Sequence, residues 1–203
     1  MSSHPRHDRI GPNAITQMAS ALEHSIGAFH TRELFQSAGL DGYLREPPHD
    51  MVAESEVIAL HRAMRRALPA PLQSEISAAA GHATGEYLLG RRIPRGARFI
   101  LHALSNSWGT RLLISAIRRN SWTFTGSGRL RIEYAPLPVF VLEDCPLCRN
   151  TLAAEPVCGY YAATFERLFQ RLIDPGLCVT ETACSARGDA ACRFALTWRP
   201  PAH

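Results

Sequence analysis

The spacing of apolar residues changes near residue 128, and that change limits the fold more than any other feature of the chain. Before it, apolar side chains recur every three to four positions, as on a helix. After it, Leu130, Ile132 and Tyr134 alternate with Arg129, Arg131 and Glu133, as on a strand with one buried face. Val139-Phe140-Val141-Leu142 reads as a strand buried on both faces and ended by Glu143-Asp144. Over 158–173, Tyr161, Phe165, Leu168, Phe169 and Leu172 return to helical spacing until Asp174-Pro175-Gly176. Two last strands, 177–183 and 190–198, are joined by a turn containing Arg187-Gly188-Asp189. Helices followed by strand, strand, helix, strand, strand predict an α+β fold, an antiparallel sheet packed by helices on one face.

The helical half divides at its breakers. Gly11-Pro12-Asn13 introduces an amphipathic helix with Ile15, Met18, Ala19, Leu22, Ile26 and Phe29 on one face, and a short second helix is expected over 31–38, before Gly39 and Pro47-Pro48. Residues 53–68 carry Val57, Leu60, Met64 and Leu68 in register until Pro69 and Pro71. The stretch 72–89 is helical and rich in Ala and Gly, which suits close packing on another helix. The segment 94–119 predicts the longest helix, with Phe99, Ile100, Ala103, Leu104, Trp108, Leu112 and Ile117 on its buried side. A chain of 203 residues is long enough for one core. The expectation is one domain over 11–198, with a helical half 11–120 and a sheet-helix-sheet half 128–198, between a flexible N-terminus 1–10 and a tail 199–203.

The net charge of +4 comes from arginines scattered along the chain rather than gathered into a stripe with stacking aromatics, so nucleic-acid binding is not expected. No apolar run reaches the roughly 18 residues of a membrane-crossing helix, and the polar opening lacks the apolar stretch of a secretory signal. A cytoplasmic location follows as the expectation.

In a reducing cytoplasm, six cysteines are better read as free thiols or metal ligands than as disulfides, and all six lie after residue 144. Glu181 shares a strand face with Leu177 and Val179, which would carry a carboxylate into the core, where it needs a cation. Cys184 and Cys192 stand at the base of one hairpin, and Cys158 stands where the helix begins, a position that favours a thiolate. Three thiolates and a carboxylate suit tetrahedral zinc and leave no position open for substrate, so a zinc ion here would be structural. Cys145-x-x-Cys148 competes, because with Cys184 and Cys192 it could make a four-cysteine site; Cys178 reads as a packing residue.

The stretch from Glu181 through Cys184, Arg187-Gly188-Asp189 and Cys192 to Phe194, with Cys158 at the matching distance before it, resembles the C-terminal signature of the vinyl-4-reductase domain family. The likeness extends from the Gly11-Pro12 helix to Phe194 and is closest to the stand-alone branch of bacteriochlorophyll-biosynthesis protein J. In aromatic-sensing members of the family, a Cys, a Glu and two Cys at these separations hold zinc, and all four positions are filled here. On this length, no DNA-binding or ATPase segment is expected beside the domain. The resemblance implies a pocket between helices and sheet for a small aromatic ligand, here a magnesium porphyrin or protochlorophyllide, and a tendency to form homodimers. Enzymes of bacteriochlorophyll biosynthesis would be its partners.

The traditional activity of the branch is reduction of a vinyl group on divinyl protochlorophyllide. Hydride transfer needs a donor, yet no Gly-x-Gly-x-x-Gly stands between a strand and a helix, and the cysteines do not follow a ferredoxin spacing. A tetrapyrrole-binding carrier or assembly factor is therefore preferred to a vinyl reductase with an external electron donor or to a ligand-free interaction subunit. Candidates for an aromatic wall are Phe99, Trp108, Trp122, Phe124 and Tyr134, and for a magnesium or propionate contact His82 or His102; each is more often an ordinary packing or surface residue.

Overall fold

The computed structural model describes residues 8–134 and 137–198, so the tail 199–203 and most of the N-terminal leader lie outside the described residues. Arg9–Ile10 form a strand, β1, paired antiparallel with β2 (Val52–Ala53), so the described end of the leader is anchored. The span α1 (Asn13–Ser37) holds two helical segments that meet at a kink, as expected, with the junction at Gly27 rather than near residue 30. Gly27, at φ 79°, breaks it internally, a conformation open to glycine at little cost. The break re-aims the helix: Ile15, Met18 and Leu22 are buried, whereas Phe29, two residues past the glycine, is exposed. A short α2 (Gly42–Arg45) leads towards α3 (Glu54–Ala67), whose Glu56 carboxylate accepts the Ala53 backbone N–H at 2.9 Å and closes the helix start. Helix α4 spans Ala70–Arg91, with proline in its first turn.

The segment expected to be the longest helix is two helices, α5 (Arg95–Ala103) and α6 (Asn106–Arg119), separated at Leu104-Ser105, where both residues are extended (ψ 154° and 151°). The break also corrects the predicted buried side. Leu101, Leu113, Ile114 and Ile117 face inward, while Phe99, Ile100, Leu104, Trp108 and Leu112 are exposed. Helical phase holds only while the helix is continuous, so a break between Ala103 and Asn106 detaches the phase of one segment from the other.

The C-terminal half follows the expected order. Strands β3 (Arg129–Tyr134), β4 (Pro138–Glu143), β5 (Leu177–Ala183) and β6 (Cys192–Trp198) form an antiparallel sheet in the order β3-β4-β6-β5. Helix α7 (Gly159–Leu172) covers one face and is clasped from outside by α4. The interior between α7 and the sheet is filled by aromatics: Phe140 stacks on Phe165 at 4.7 Å, and Phe169, Phe194 and Tyr161 close around them. Tyr134 ends the edge strand β3 and is exposed rather than inward.

Candidate metal centre

Cys158 is the residue on which α7 begins, and its backbone N–H donates to Glu181 Oε2 at 2.7 Å across to β5. Strict alternation would put Glu181 and Cys184, three residues apart, on opposite faces of the sheet. A bulge between Glu181 and Ala183 adds the residue that returns Cys184 to the side of Glu181. Cys192 opens β6 opposite Leu142, on the inner face with Phe194 and Leu196. The hairpin turn is closed by Gly188 at φ 94°, and by Asp189, whose carboxylate accepts the Cys184 N–H at 2.8 Å. The donor atoms of Cys158, Glu181, Cys184 and Cys192 all lie within 4.8 Å of one another. Cys158 Sγ stands 3.9 Å from Cys184 and 3.7 Å from Cys192.

The donor set is electrically unfinished. Glu181 Oε1 is buried without a hydrogen-bond partner among the described residues, and burial next to the Cys184 sulfur pushes the carboxyl up to about 9. Hydrogen bonding, chiefly with Cys148, pulls Cys184 down to about 6, and hydrogen bonding, chiefly with Cys145, pulls Cys192 down to about 5. Cys158 moves well above its ordinary value, because it holds its proton among the other sulfurs. An orphaned carboxylate oxygen among shared thiol protons is the arrangement that a divalent cation relieves, and the residues fit tetrahedral zinc.

The competing pair takes an unforeseen place. Cys145 and Cys148 form a buried one-turn segment whose sulfurs join Cys158 and Cys192, all four within 4.8 Å, whereas the spacing alone paired them with Cys184 and Cys192. Arg65 was also missed, since nothing in α3 separates it from its exposed neighbour Arg66. Its half-buried guanidinium donates to Leu147 O at 2.8 Å and Thr151 Oγ1 at 3.2 Å, leaves Nη1 buried without a partner among the described residues, and is close enough to feel the charge of Cys158, Cys148, Cys145 and Cys184. Cys178 is half-buried on β5, outside both groups.

The seven ligand-contact candidates do not gather round one pocket among the described residues. Phe99, His102, Trp108, Trp122 and Tyr134 are exposed, and only Phe124 turns inward, where it packs on Tyr161 and Phe165. The helix–sheet interface expected to hold the pocket is occupied by the stacked aromatics. A groove of about 580 Å³ lies elsewhere, lined by Ile26, His30, Leu34 and Leu68 of the helical half. His82 sits on α4, 3.8 Å from Glu166.

Residues 138–197 match the vinyl-4-reductase (V-4-R) domain family. The chain is 39% identical over 188 residues to the bacteriochlorophyll synthase 23 kDa chain of Cereibacter sphaeroides, covering 93% of this chain and 90% of that protein. It is 38% identical over 189 residues to the protein of the same name from Rhodobacter capsulatus, covering 93% and 86%. Among solved structures, an H-NOX protein from S. oneidensis in the Fe(II)NO ligation state aligns with 94% of this chain and 100% of its own, with a TM-score of 0.54. At 12% identity that likeness shows a shared fold and no more.

Proposed function

The chain belongs to the family of the bacteriochlorophyll synthase 23 kDa chains, and from that premise we propose that it serves bacteriochlorophyll biosynthesis as a carrier or assembly factor. Its ligand on this reading is a magnesium-porphyrin or protochlorophyllide-type tetrapyrrole, which it passes to an enzyme of the pathway. The carrier acts as a cytoplasmic homodimer, and its C-terminal half is braced by a structural zinc ion.

The observation that carries the reading is the outer side of α5 and α6. Phe99 is 73% exposed and Trp108 63%, with Ile100 and Leu112 also uncovered, a large apolar surface for a chain to leave in water. Between Glu86 and Glu133 the chain has nine arginines and no acidic residue, and Arg111 stands over the Trp108 ring at 5.5 Å. A tetrapyrrole intermediate combines a flat apolar ring with carboxylate side arms. Aromatic faces suit the ring, and arginine forks suit the carboxylates. His102 lies on α5 and is available to the central magnesium.

Cys158, Glu181, Cys184 and Cys192 would hold the zinc, which when bound supplies a redox-inert cross-link with no open position. This chain's own residues do the rest: the Cys158 N–H orients Glu181, and Asp189 secures the Cys184 backbone.

Absorbance titration with magnesium protoporphyrin and divinyl protochlorophyllide, with and without reduced nicotinamide, tests the proposal. A saturable spectral shift with both vinyl groups intact is the expected result, weakened at least tenfold in Phe99→Ser/Trp108→Ser. Conversion to the monovinyl product would replace the carrier with a reductase, and no shift at all would overturn the tetrapyrrole ligand.

A further inference from the structure

The zinc reading leaves the Cys145–Cys148 turn without a task, yet this turn is held more firmly than a packing element needs. Asp144 and Asn150 bracket it at φ 52° and 54°, the left-handed conformation that Asp and Asn adopt more readily than other non-glycine residues and that turns the chain sharply on either side of it. Arg149 fastens the loop to Glu54 at 2.6 Å and to the Asp144 carbonyl at 2.6 Å, and Arg65 fastens it to α3 through Leu147. These contacts aim two fully buried sulfurs at the cluster. Cys145 stands 3.5 Å from Cys158, and Cys148 stands 3.4 Å from Cys192.

The distances have the geometry of a second coordination site. Zinc–sulfur bonds of about 2.3 Å in a tetrahedron place the sulfurs about 3.8 Å apart. Five of the sulfur pairs lie at 3.4 to 3.9 Å, and the donors of each of two groups of four all lie within 4.8 Å of one another. The groups share one edge, Cys158–Cys192, at 3.7 Å. Two tetrahedra joined at an edge describe a pair of metal ions bridged by two thiolates.

We propose that the cluster is a dinuclear centre in which the Cys158 and Cys192 thiolates bridge two divalent, thiophilic metal ions, one completed by Cys145 and Cys148 and the other by Glu181 and Cys184. Five thiolates and one carboxylate carry six negative charges. Two divalent ions cancel four of them, and the half-buried Arg65 guanidinium, which couples electrostatically to Cys158, Cys148, Cys145 and Cys184, offsets another. The N-terminus of α7, at Cys158, adds partial positive charge. The inference rests on the zinc site of the proposed function and extends it by a second ion.

Metal analysis of the full chain, purified under reducing conditions with zinc supplied, is the test. Two zinc ions per chain are expected, falling to one in Cys145→Ser/Cys148→Ser and to one in Glu181→Gln/Cys184→Ser. One ion that survives Cys145→Ser/Cys148→Ser and is lost with Glu181→Gln/Cys184→Ser would overturn the dinuclear centre and leave the single structural zinc standing. One ion with the opposite pattern, or none, would overturn both. Should either variant fail to fold, cobalt titration of the unaltered chain decides. Thiolate-to-metal absorbance should rise to two equivalents, with the paramagnetic resonance of the first ion quenched as the second couples through the bridging sulfurs. Saturation at one equivalent with an unquenched signal would overturn the proposal.

Discussion

Single side chains in this protein are most informative where a buried polar atom lacks a partner. Glu181 Oε1 is one, and Cys184→Ser should lower stability by about 3 kcal/mol, roughly 10 °C in Tm at this chain length, with loss of bound zinc. Thermal melting beside metal analysis checks both numbers. His61 is another: it is buried in α3 against Tyr160, neither ring nitrogen has a partner among the described residues, and burial, then Arg65, lowers it to about 3. The unfolded chain takes up this proton near the ordinary value of 6.5 and the folded chain only near 3. Stability is therefore present above 6.5 and lost as the pH falls from there towards 3, at up to about 1.4 kcal/mol per pH unit. Between pH 7 and 5, His61→Phe should flatten the decline in Tm relative to the unaltered chain. Equal slopes in the two chains would show that His61 is not the group responsible.

At the scale of elements, the seat of α7 against α4 fixes where Cys158 points. A Cβ on Gly81 would meet the Tyr160 carbonyl and the Ala163 methyl, and one on Gly85 would meet Arg167. Thr164 Oγ1 donates to the Gly81 carbonyl at 3.1 Å, and Thr84 and Tyr160 share a hydrogen bond of 2.7 Å. Gly81→Ala should cost about 1–3 kcal/mol by overpacking, measured by denaturant unfolding, although helix propensity alone favours Ala. The Ala- and Gly-rich composition made this close packing legible before the structure did. The α5–α6 break was not legible, because Leu104-Ser105 carries no proline or glycine. Trp108→Gln should change stability by no more than about 0.5 kcal/mol, since the ring is 63% exposed, while weakening pigment binding.

For the whole molecule, the two halves should respond differently to metal removal. The helical half buries its own apolar set, Ile15, Met18, Leu22, Leu60 and Ile76, in a core that continues into the sheet half. Among the described residues, the donors of the cysteine cluster come from the start of α7, the β5–β6 hairpin and the 145–148 turn, and α3 meets them only through its contacts with that turn. A chelator should therefore raise amide exchange first in the hairpin and at the start of α7, leaving α1 and α3 protected, as read by hydrogen-exchange mass spectrometry. Uniform loss of protection would mean that the cluster governs folding of the entire chain.

The sequence by itself determined the long helical stretches and the four strands of the main sheet, though not the short β1–β2 pair, α2 or the α5–α6 break, because the period of apolar residues is a local property of the backbone that only a long enough segment displays. It also singled out Cys158, Glu181, Cys184 and Cys192, since a hairpin and a helix start place them within a short reach of each other. Tertiary structure alone decided what those elements do next. The bulge that turns Cys184 towards Glu181, the arrival of Cys145 and Cys148 at Cys158 and Cys192, and the burial of Arg65 beside them all depend on contacts between residues far apart in the chain. The same holds for the exposed aromatics of α5 and α6: amphipathic spacing marks an apolar face, but only packing determines whether that face meets the core or is left for a partner.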